Sequence, residues 1–93
     1  MKLLPSETGR TVRFELMAEP GSQVFVVGTF NNWNPTATPL KDNPDGGHFK
    51  ADLHIPAGRH EYKFVVNGVW AVDPKSVDWS RNAYGSLNSV LHV

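Results

Sequence analysis

Cysteine is absent from this 93-residue chain. Its absence excludes a disulfide framework, a thiolate metal site and a cysteine nucleophile, so the fold depends on its hydrophobic core. An excess of charge of one sign is also missing, because 9 Lys and Arg residues balance 9 Asp and Glu residues. Without a basic stripe, nucleic acid and anionic membranes are poor candidate partners, and we expect neither.

Long hydrophobic runs are scarce as well. Only two consecutive leucines, Leu3 and Leu4, precede Pro5, which is far short of a signal-peptide apolar region of roughly 7–15 residues. We therefore expect a chain without a membrane span, cytoplasmic by default. Its length suits one small domain, which we place at residues 11–93 after an N-terminal extension at residues 1–10.

What the chain does contain is the period of β-strands, with apolar and polar residues alternating over most of its length. The continuous apolar run Gln23–Phe30 predicts a central strand with both faces partly covered, and no segment has a convincing helical period. Six or seven short strands with regular turn signals predict an all-β fold, an antiparallel β-sandwich. The main strands are predicted at residues 11–18, 23–30, 48–55, 59–66 and 88–93.

Two long polar connections interrupt the strands. The first, Asn31–Gly47, is rich in Pro, Asn, Asp and Gly and leaves room for one short edge strand near Leu40. The second, Asp73–Ser86, is predicted to be irregular. Because loops longer than about 12 residues in a compact domain are usually functional or disordered, and both of these contain aromatic residues, we favour a functional role.

The stretch YKFVVNGVW predicts a β-hairpin, since Asn67-Gly68 suits a two-residue type I′ turn. This turn pairs Val65 with Trp70 across the hairpin. Tyr62 and Phe64 then face the core, while Lys63, Val65 and Trp70 share the other face of the sheet.

Trp70 has two interpretations at this point: a cross-strand packing residue covered by a loop, or an exposed stacking platform. A flat indole face suits the axial C–H groups of a pyranose ring, and Lys63 beside it offers donors to sugar hydroxyls. A single strand lysine is more often simply solvated.

The loops supply three further candidates. Trp33, within FNNWNP, either caps the sandwich or presents a second flat aromatic on a rigid turn. Tyr84, next to Gly85, is a plausible contact residue, and Asn88 offers both a donor and an acceptor, although each also suits an ordinary turn. Trp79 is interpreted as loop packing rather than as a ligand contact.

Catalytic and metal chemistry lack a pattern. A glycosidase needs two carboxylates about 5–10 Å apart, and the acids here are scattered singly. No nucleophile elbow, phosphate loop or His-Glu-x-x-His spacing occurs. We expect no enzyme activity, no metal site and no cofactor.

Three separated blocks, VFVVGTFNNWNP, IPAGRHEYKFVVNGVWAVDP and YGSLNSVLHV, resemble carbohydrate-binding module family 48. That family includes the glycogen-binding domain of the AMP-activated protein kinase beta subunit and N-terminal domains of isoamylase and glycogen branching enzymes. The resemblance covers about residues 11–93. It implies an immunoglobulin-like sandwich of about seven short strands and non-catalytic binding of α-1,4-linked glucans such as glycogen, starch and maltooligosaccharides.

The resemblance also implies the binding residues. It makes Trp33 and Trp70 the aromatic walls, Lys63 and Asn88 the hydrogen-bonding residues, and Tyr84 an apolar contact where the kinase subunit has leucine. The preceding loop, from Lys75, matches poorly, so the role of Trp79 is not assigned.

Against the family pattern, we expect the chain to carry no catalytic domain and to lack the C-terminal segment through which the kinase subunit joins its partners. The resemblance therefore implies a stand-alone glucan-binding protein or a piece of a larger one, with an association to a glycogen- or starch-metabolising enzyme. The alternative is a protein-interaction or targeting module that has the same sandwich but no significant sugar affinity.

Overall fold

The computed structural model describes residues 9–93, so most of the N-terminal extension expected at residues 1–10 lies outside the described residues. Within residues 9–93 the chain forms eight strands and one 3-10 turn at Thr29–Asn31. The strands are β1 (Arg10–Met17), β2 (Val24–Gly28), β3 (Lys41–Asp42), β4 (His48–Ile55), β5 (Arg59–Val66), β6 (Val69–Ala71), β7 (Trp79–Arg81) and β8 (Leu87–His92).

The strands form two antiparallel sheets. A three-stranded sheet has the order β1-β4-β3, and a five-stranded sheet has the order β2-β5-β8-β7, with β6 pairing with the remaining part of β5. All pairs are antiparallel. The predicted all-β sandwich is confirmed.

The core lies between the inner faces of the two sheets, as alternation along each strand requires. Phe14 of β1 meets Tyr62 of β5, with ring centroids 5.1 Å apart, and this edge-to-face contact joins the two sheets. The buried core cluster consists of Val12, Phe14, Leu16, Val24, Val26, Leu40, Phe49, Ile55, Tyr62 and Phe64.

The predicted hairpin is confirmed in both register and turn. Val65 pairs with Trp70, and Asn67 and Gly68 both have positive φ, at 50° and 82°, as a type I′ turn requires. The Asn67 side chain also accepts a hydrogen bond from the backbone N–H of Gln23 at 2.9 Å. The turn is therefore tied to the chain that enters β2.

Strand β2 corrects one prediction. It lies at one end of the sheet order rather than at its centre. Both Val26 and Val27 are fully buried although they point to opposite faces, so coverage of both faces explains the continuous apolar run. The outer edge of β2 pairs with the following loop, since Val26 N–H donates to Thr38 O at 3.0 Å.

Strand β7 corrects a second prediction, because it falls within the segment 73–86 that was predicted to be irregular. It has only three residues and pairs with β8 alone, Trp79 with Ser89 and Arg81 with Leu87. An edge strand of three residues is too short to show the apolar alternation from which a strand is predicted.

A buried polar network fixes the chain after β6. Tyr62 Oη donates to Asp73 Oδ2 at 2.6 Å, while Asp73 N–H donates to Ser89 Oγ at 3.0 Å. Burial first, and then the hydrogen bond to Asp73, raise the pKa of Tyr62. This network lies on the core side of β5 and connects it to β8.

Candidate functional site

A groove of about 970 Å³ lies on the outer face of the five-stranded sheet. All the binding residues that the sequence pointed to line it: Trp33, Lys63, Trp70, Tyr84 and Asn88. Whether Trp33 would lie near Trp70 was not evident from the sequence, and the structure brings both to the same groove. Four further lining residues were missed, namely Thr29, Glu61, Asn82 and Ser86.

The β5–β6 hairpin forms the floor and one wall of the groove. Val27 pairs with Lys63 and Val65 pairs with Trp70, so the two valines share the groove's face of the sheet. Both valines are buried, whereas Trp70 is 47% exposed. The sheet therefore supports an indole of which nearly half stays open to solvent.

Trp33 is held by a tight turn after β2. Asn31 Oδ1 accepts from Gly28 N–H at 2.9 Å, and Asn31 Nδ2 donates to Val26 O at 3.0 Å and to Thr38 Oγ1 at 3.1 Å. Trp33 N–H then donates to Gly28 O at 2.9 Å. These bonds fix the backbone from which the indole projects.

The same turn carries a strained backbone. Asn32 and Trp33 have φ of 57° and 56°, in the left-handed region, which is uncommon for non-glycine residues and costs on the order of 1 kcal/mol or more for each. Gly28 permits the close approach of this part of the chain to β5, because a Cβ at Gly28 would lie 2.5 Å from Glu61 O. The turn has one tightly defined shape, which suits a residue that must present a rigid surface.

Tyr84 stands at the tip of a five-residue loop closed by Asn82. Asn82 Oδ1 accepts from the N–H groups of Tyr84 and Ser86, at 2.9 and 3.1 Å, and Gly85 takes the positive φ of 80°. The Tyr84 side chain is 94% exposed. The loop backbone is therefore well ordered by its own hydrogen bonds, while the phenol is open to a ligand at the rim.

A chain of hydrogen bonds runs along the floor. Lys63 Nζ donates to Ser86 Oγ at 3.0 Å, and Asn82 Nδ2 donates to Ser86 Oγ at 2.7 Å and to Asn88 Oδ1 at 3.2 Å. Asn88 Nδ2 in turn donates to Glu61 Oε1 at 3.1 Å. The polar groups of the groove are thereby oriented before any ligand arrives.

Trp79 lies outside the groove. It pairs with Ser89, and Ser89 pairs with Tyr62 on the core side of the sheet, so Trp79 lies on the opposite face from Asn88. It is 44% exposed at the edge of the sandwich. The prediction that Trp79 makes no ligand contact stays a prediction. Because Trp79 lies outside the groove, it can serve as a control for the two tryptophans inside it.

The groove's chemistry is suited to binding. Among the described residues that line it, Glu61 is the single carboxylic acid, whereas glycoside hydrolysis needs a facing pair. Within residues 9–93 no cluster of three or more His, Cys, Asp or Glu side chains is placed to hold a metal ion. No helix in this part of the chain is long and apolar enough to cross a membrane.

The groove is open, holds two indoles, a phenol and oriented polar groups, and is built on a β-sandwich. This combination defines a binding module of the carbohydrate-recognising class. The family model described as "Glycogen recognition site of AMP-activated protein kinase" matches residues 11–93. The chain belongs to this family of glycogen-recognition domains, and the family resemblance is confirmed.

Several curated relatives are beta subunits of 5'-AMP-activated protein kinase. The chain is 40% identical to 5'-AMP-activated protein kinase subunit beta-2 of Mus musculus over 76 residues, which are 82% of this chain and 27% of that protein. It is 36% identical to the beta-1 subunit of Sus scrofa over 73 residues, 78% of this chain and 56% of that sequence. The chain thus spans only about a quarter of the mouse relative.

Proposed function

We propose that this chain is a non-catalytic module that binds α-1,4-linked glucans, such as glycogen, starch and maltooligosaccharides, in the groove on the five-stranded sheet. The observation that carries the proposal is the meeting of Trp33 and Trp70 with Lys63 in one groove of a glycogen-recognition domain. We take the binding domain to extend from residue 11 to residue 93.

Two kinds of contact would hold the glucan. Glucose rings stack their C–H faces on the indoles of Trp33 and Trp70. These lose little entropy on binding, because an indole is rigid and strand pairing or hydrogen bonds hold the backbone at both residues. Lys63 and Asn88 hydrogen-bond to ring hydroxyls, and Tyr84 presses against the ligand from the rim. The pre-formed hydrogen-bond chain along the floor lowers the cost of ordering these groups.

Affinity should be modest, because the groove is open and the contacts are few. We expect a binding free energy of roughly −4 to −8 kcal/mol, which corresponds to a Kd from about millimolar to micromolar. The module adsorbs to glucan without turning it over, since among residues 9–93 the groove has one carboxylate where hydrolysis needs two.

Such a module would bring an associated protein to its glucan. The relatives are named as kinase subunits, and we propose that this chain connects a glycogen- or starch-metabolising enzyme, or its regulator, to the polymer. Its place of action would then be the compartment that stores the glucan, which we take to be the cytoplasm.

The test is co-sedimentation with insoluble amylose, using cellulose as the matched β-linked control. We expect retention on amylose, release by soluble maltoheptaose, and no retention on cellulose. Incubation with maltoheptaose should yield no shorter sugars. If the protein stays in the supernatant with amylose at every concentration, the sugar-binding proposal is wrong and the protein-interaction alternative gains support.

A further inference from the structure

We propose that Glu61 is a further ligand-binding residue of the groove, whose carboxylate accepts hydrogen bonds from sugar hydroxyls. This proposal rests on the proposed function, and it adds a charged acceptor to a site whose other assigned polar residue on β5, Lys63, is a donor. Neither the sequence pattern nor the family resemblance pointed to this residue.

The placement of Glu61 is the first argument. It precedes Lys63 by two residues on β5, so both side chains project from the groove's face of the sheet, and both line the groove. At about 3.3 Å per residue the two positions lie about 7 Å apart. The Glu61 side chain is 23% exposed, which leaves part of it open towards a ligand.

The charge and free lone pairs of Glu61 are the second argument. Oε2 accepts from Arg59 Nη1 at 2.8 Å, and Oε1 accepts from Asn88 Nδ2 at 3.1 Å. The hydrogen bond from Arg59, and then that from Asn88, lower the pKa of Glu61, so the group is ionised near neutral pH. Because each carboxylate oxygen has two acceptor positions, each keeps one that these bonds leave free.

The balance of donors and acceptors is the third argument. Lys63 uses one of its three N–H donors in the hydrogen bond to Ser86. Ser86 Oγ accepts from Lys63 and from Asn82, so what it has left to offer is its own O–H donor. Asn88 gives one of its two N–H bonds to Glu61. On these three side chains, the groups that remain for a ligand are therefore mostly donors.

A sugar hydroxyl both donates and accepts. When a bound glucan displaces water, its O–H hydrogens need acceptors, since a desolvated donor without a partner weakens binding. Glu61 is the strongest acceptor that lines the groove within the described residues, because a hydrogen bond to an ionised group is about twice as strong as a neutral one.

The test compares Glu61→Gln with Glu19→Gln by calorimetric titration of maltoheptaose. Glu19 is an exposed residue outside the groove, so both variants lose one negative charge. We expect Glu61→Gln to weaken binding about 5- to 10-fold, since a neutral acceptor replaces a charged one, and Glu19→Gln to bind within about 2-fold of the unaltered chain. Equal affinities for the two variants would overturn the proposal.

A direct contact is separated from an effect through Asn88 by repeating the substitution in an Asn88→Ala background. If Glu61 contacts the sugar, Glu61→Gln still weakens binding several-fold there. If the substitution has no further effect, Glu61 acts only by orienting Asn88, and the proposal is wrong.

A measurement on the unaltered chain covers the case of a variant that does not fold. On saturation with maltoheptaose, the side-chain carboxylate ¹³C resonance of Glu61 should shift while that of Glu19 stays in place. Absence of a shift at Glu61 contradicts the proposal. Absence of any binding by the unaltered chain instead rejects the proposed function itself, so the two failures are distinguishable.

Discussion

The two faces of strand β5 differ in composition, although their residues alternate along a single segment. Tyr62 and Phe64 face the core and are 5% and 0% exposed. Glu61 and Lys63 face the groove, where they join hydrogen bonds that reach β8 and the loop before it. One strand therefore provides both stability and recognition. Substitution of Tyr62 or Phe64 should lower stability and spare binding. Substitution of Glu61 or Lys63 should instead weaken binding and spare stability.

The largest expected effect is on the core face. Phe64→Ala removes a fully buried ring, which costs about 3–5 kcal/mol of unfolding free energy. In a domain whose total stability is about 5–15 kcal/mol, this loss should be clear in urea denaturation followed by circular dichroism. A variant of unchanged stability would contradict the assignment of this face to the core.

The next effect is on the groove face. Trp70→Ala should weaken maltoheptaose binding by about 30-fold or more, the level of a hot-spot aromatic worth about 2 kcal/mol. Its matched control is Trp79→Ala, which removes a similarly exposed tryptophan, 44% against 47%, from outside the groove and should leave affinity within about 2-fold. Equal losses of affinity in the two variants, measured by titration, would contradict the assignment of the binding site to the groove.

Tyr62→Phe is a smaller change on the core face, because it removes only a hydroxyl. Losing the 2.6 Å bond to the buried Asp73 should lower the unfolding free energy by about 1.5 kcal/mol without changing glucan affinity. Chemical denaturation and titration of the same sample check both halves. A change in affinity without a change in stability would show that the network serves the groove instead.

The same tyrosine gives an expected pH dependence. Its pKa is raised in the folded state by burial and by Asp73, so its contribution to stability is fully present below the unfolded-state pKa of about 10 and is lost as pH rises above it. Denaturation between pH 9 and 11.5 should show stability falling for the unaltered chain. In Tyr62→Phe the slope should be shallower, and identical slopes would contradict this.

The smallest effect compares the two sheets. Lys63→Ala should weaken maltoheptaose binding about 5-fold, roughly 1 kcal/mol for one hydrogen-bonding side chain in an open groove. Lys50→Ala, on β4 of the three-stranded sheet, should leave affinity unchanged and stability within about 0.5 kcal/mol. If affinity depended on Lys50, the binding site would lie on the three-stranded sheet, which would contradict the proposal.

Local signals in the sequence were sufficient for the hairpin. Asn67-Gly68 determines a turn type and therefore a register, so the common face of Lys63 and Trp70 followed from the sequence. Trp33 is different, because its position depends on hydrogen bonds from Asn31 to Val26 and Thr38. These partners become neighbours only after β2 and the following loop have folded against each other.

Glu61 and Asn82 were missed for the same reason. A lone strand carboxylate is indistinguishable in sequence from a solvated one, and Asn88, the partner that ties Glu61 to the groove, is 27 positions away. Asn82 lies in a segment that was predicted to be irregular, and β7, which leads into it, was not foreseen. Side-chain networks between strands thus required the three-dimensional arrangement.

The three tryptophans allow glucan binding in the groove to be tested in one spectrum. They occupy three places, with Trp33 and Trp70 in the groove and Trp79 outside it. In a ¹H–¹⁵N correlation spectrum titrated with maltoheptaose, the indole N–H signals of Trp33 and Trp70 should shift together and saturate while that of Trp79 stays fixed. Signals that do not move at all, or a response led by Trp79, would contradict glucan binding in this groove.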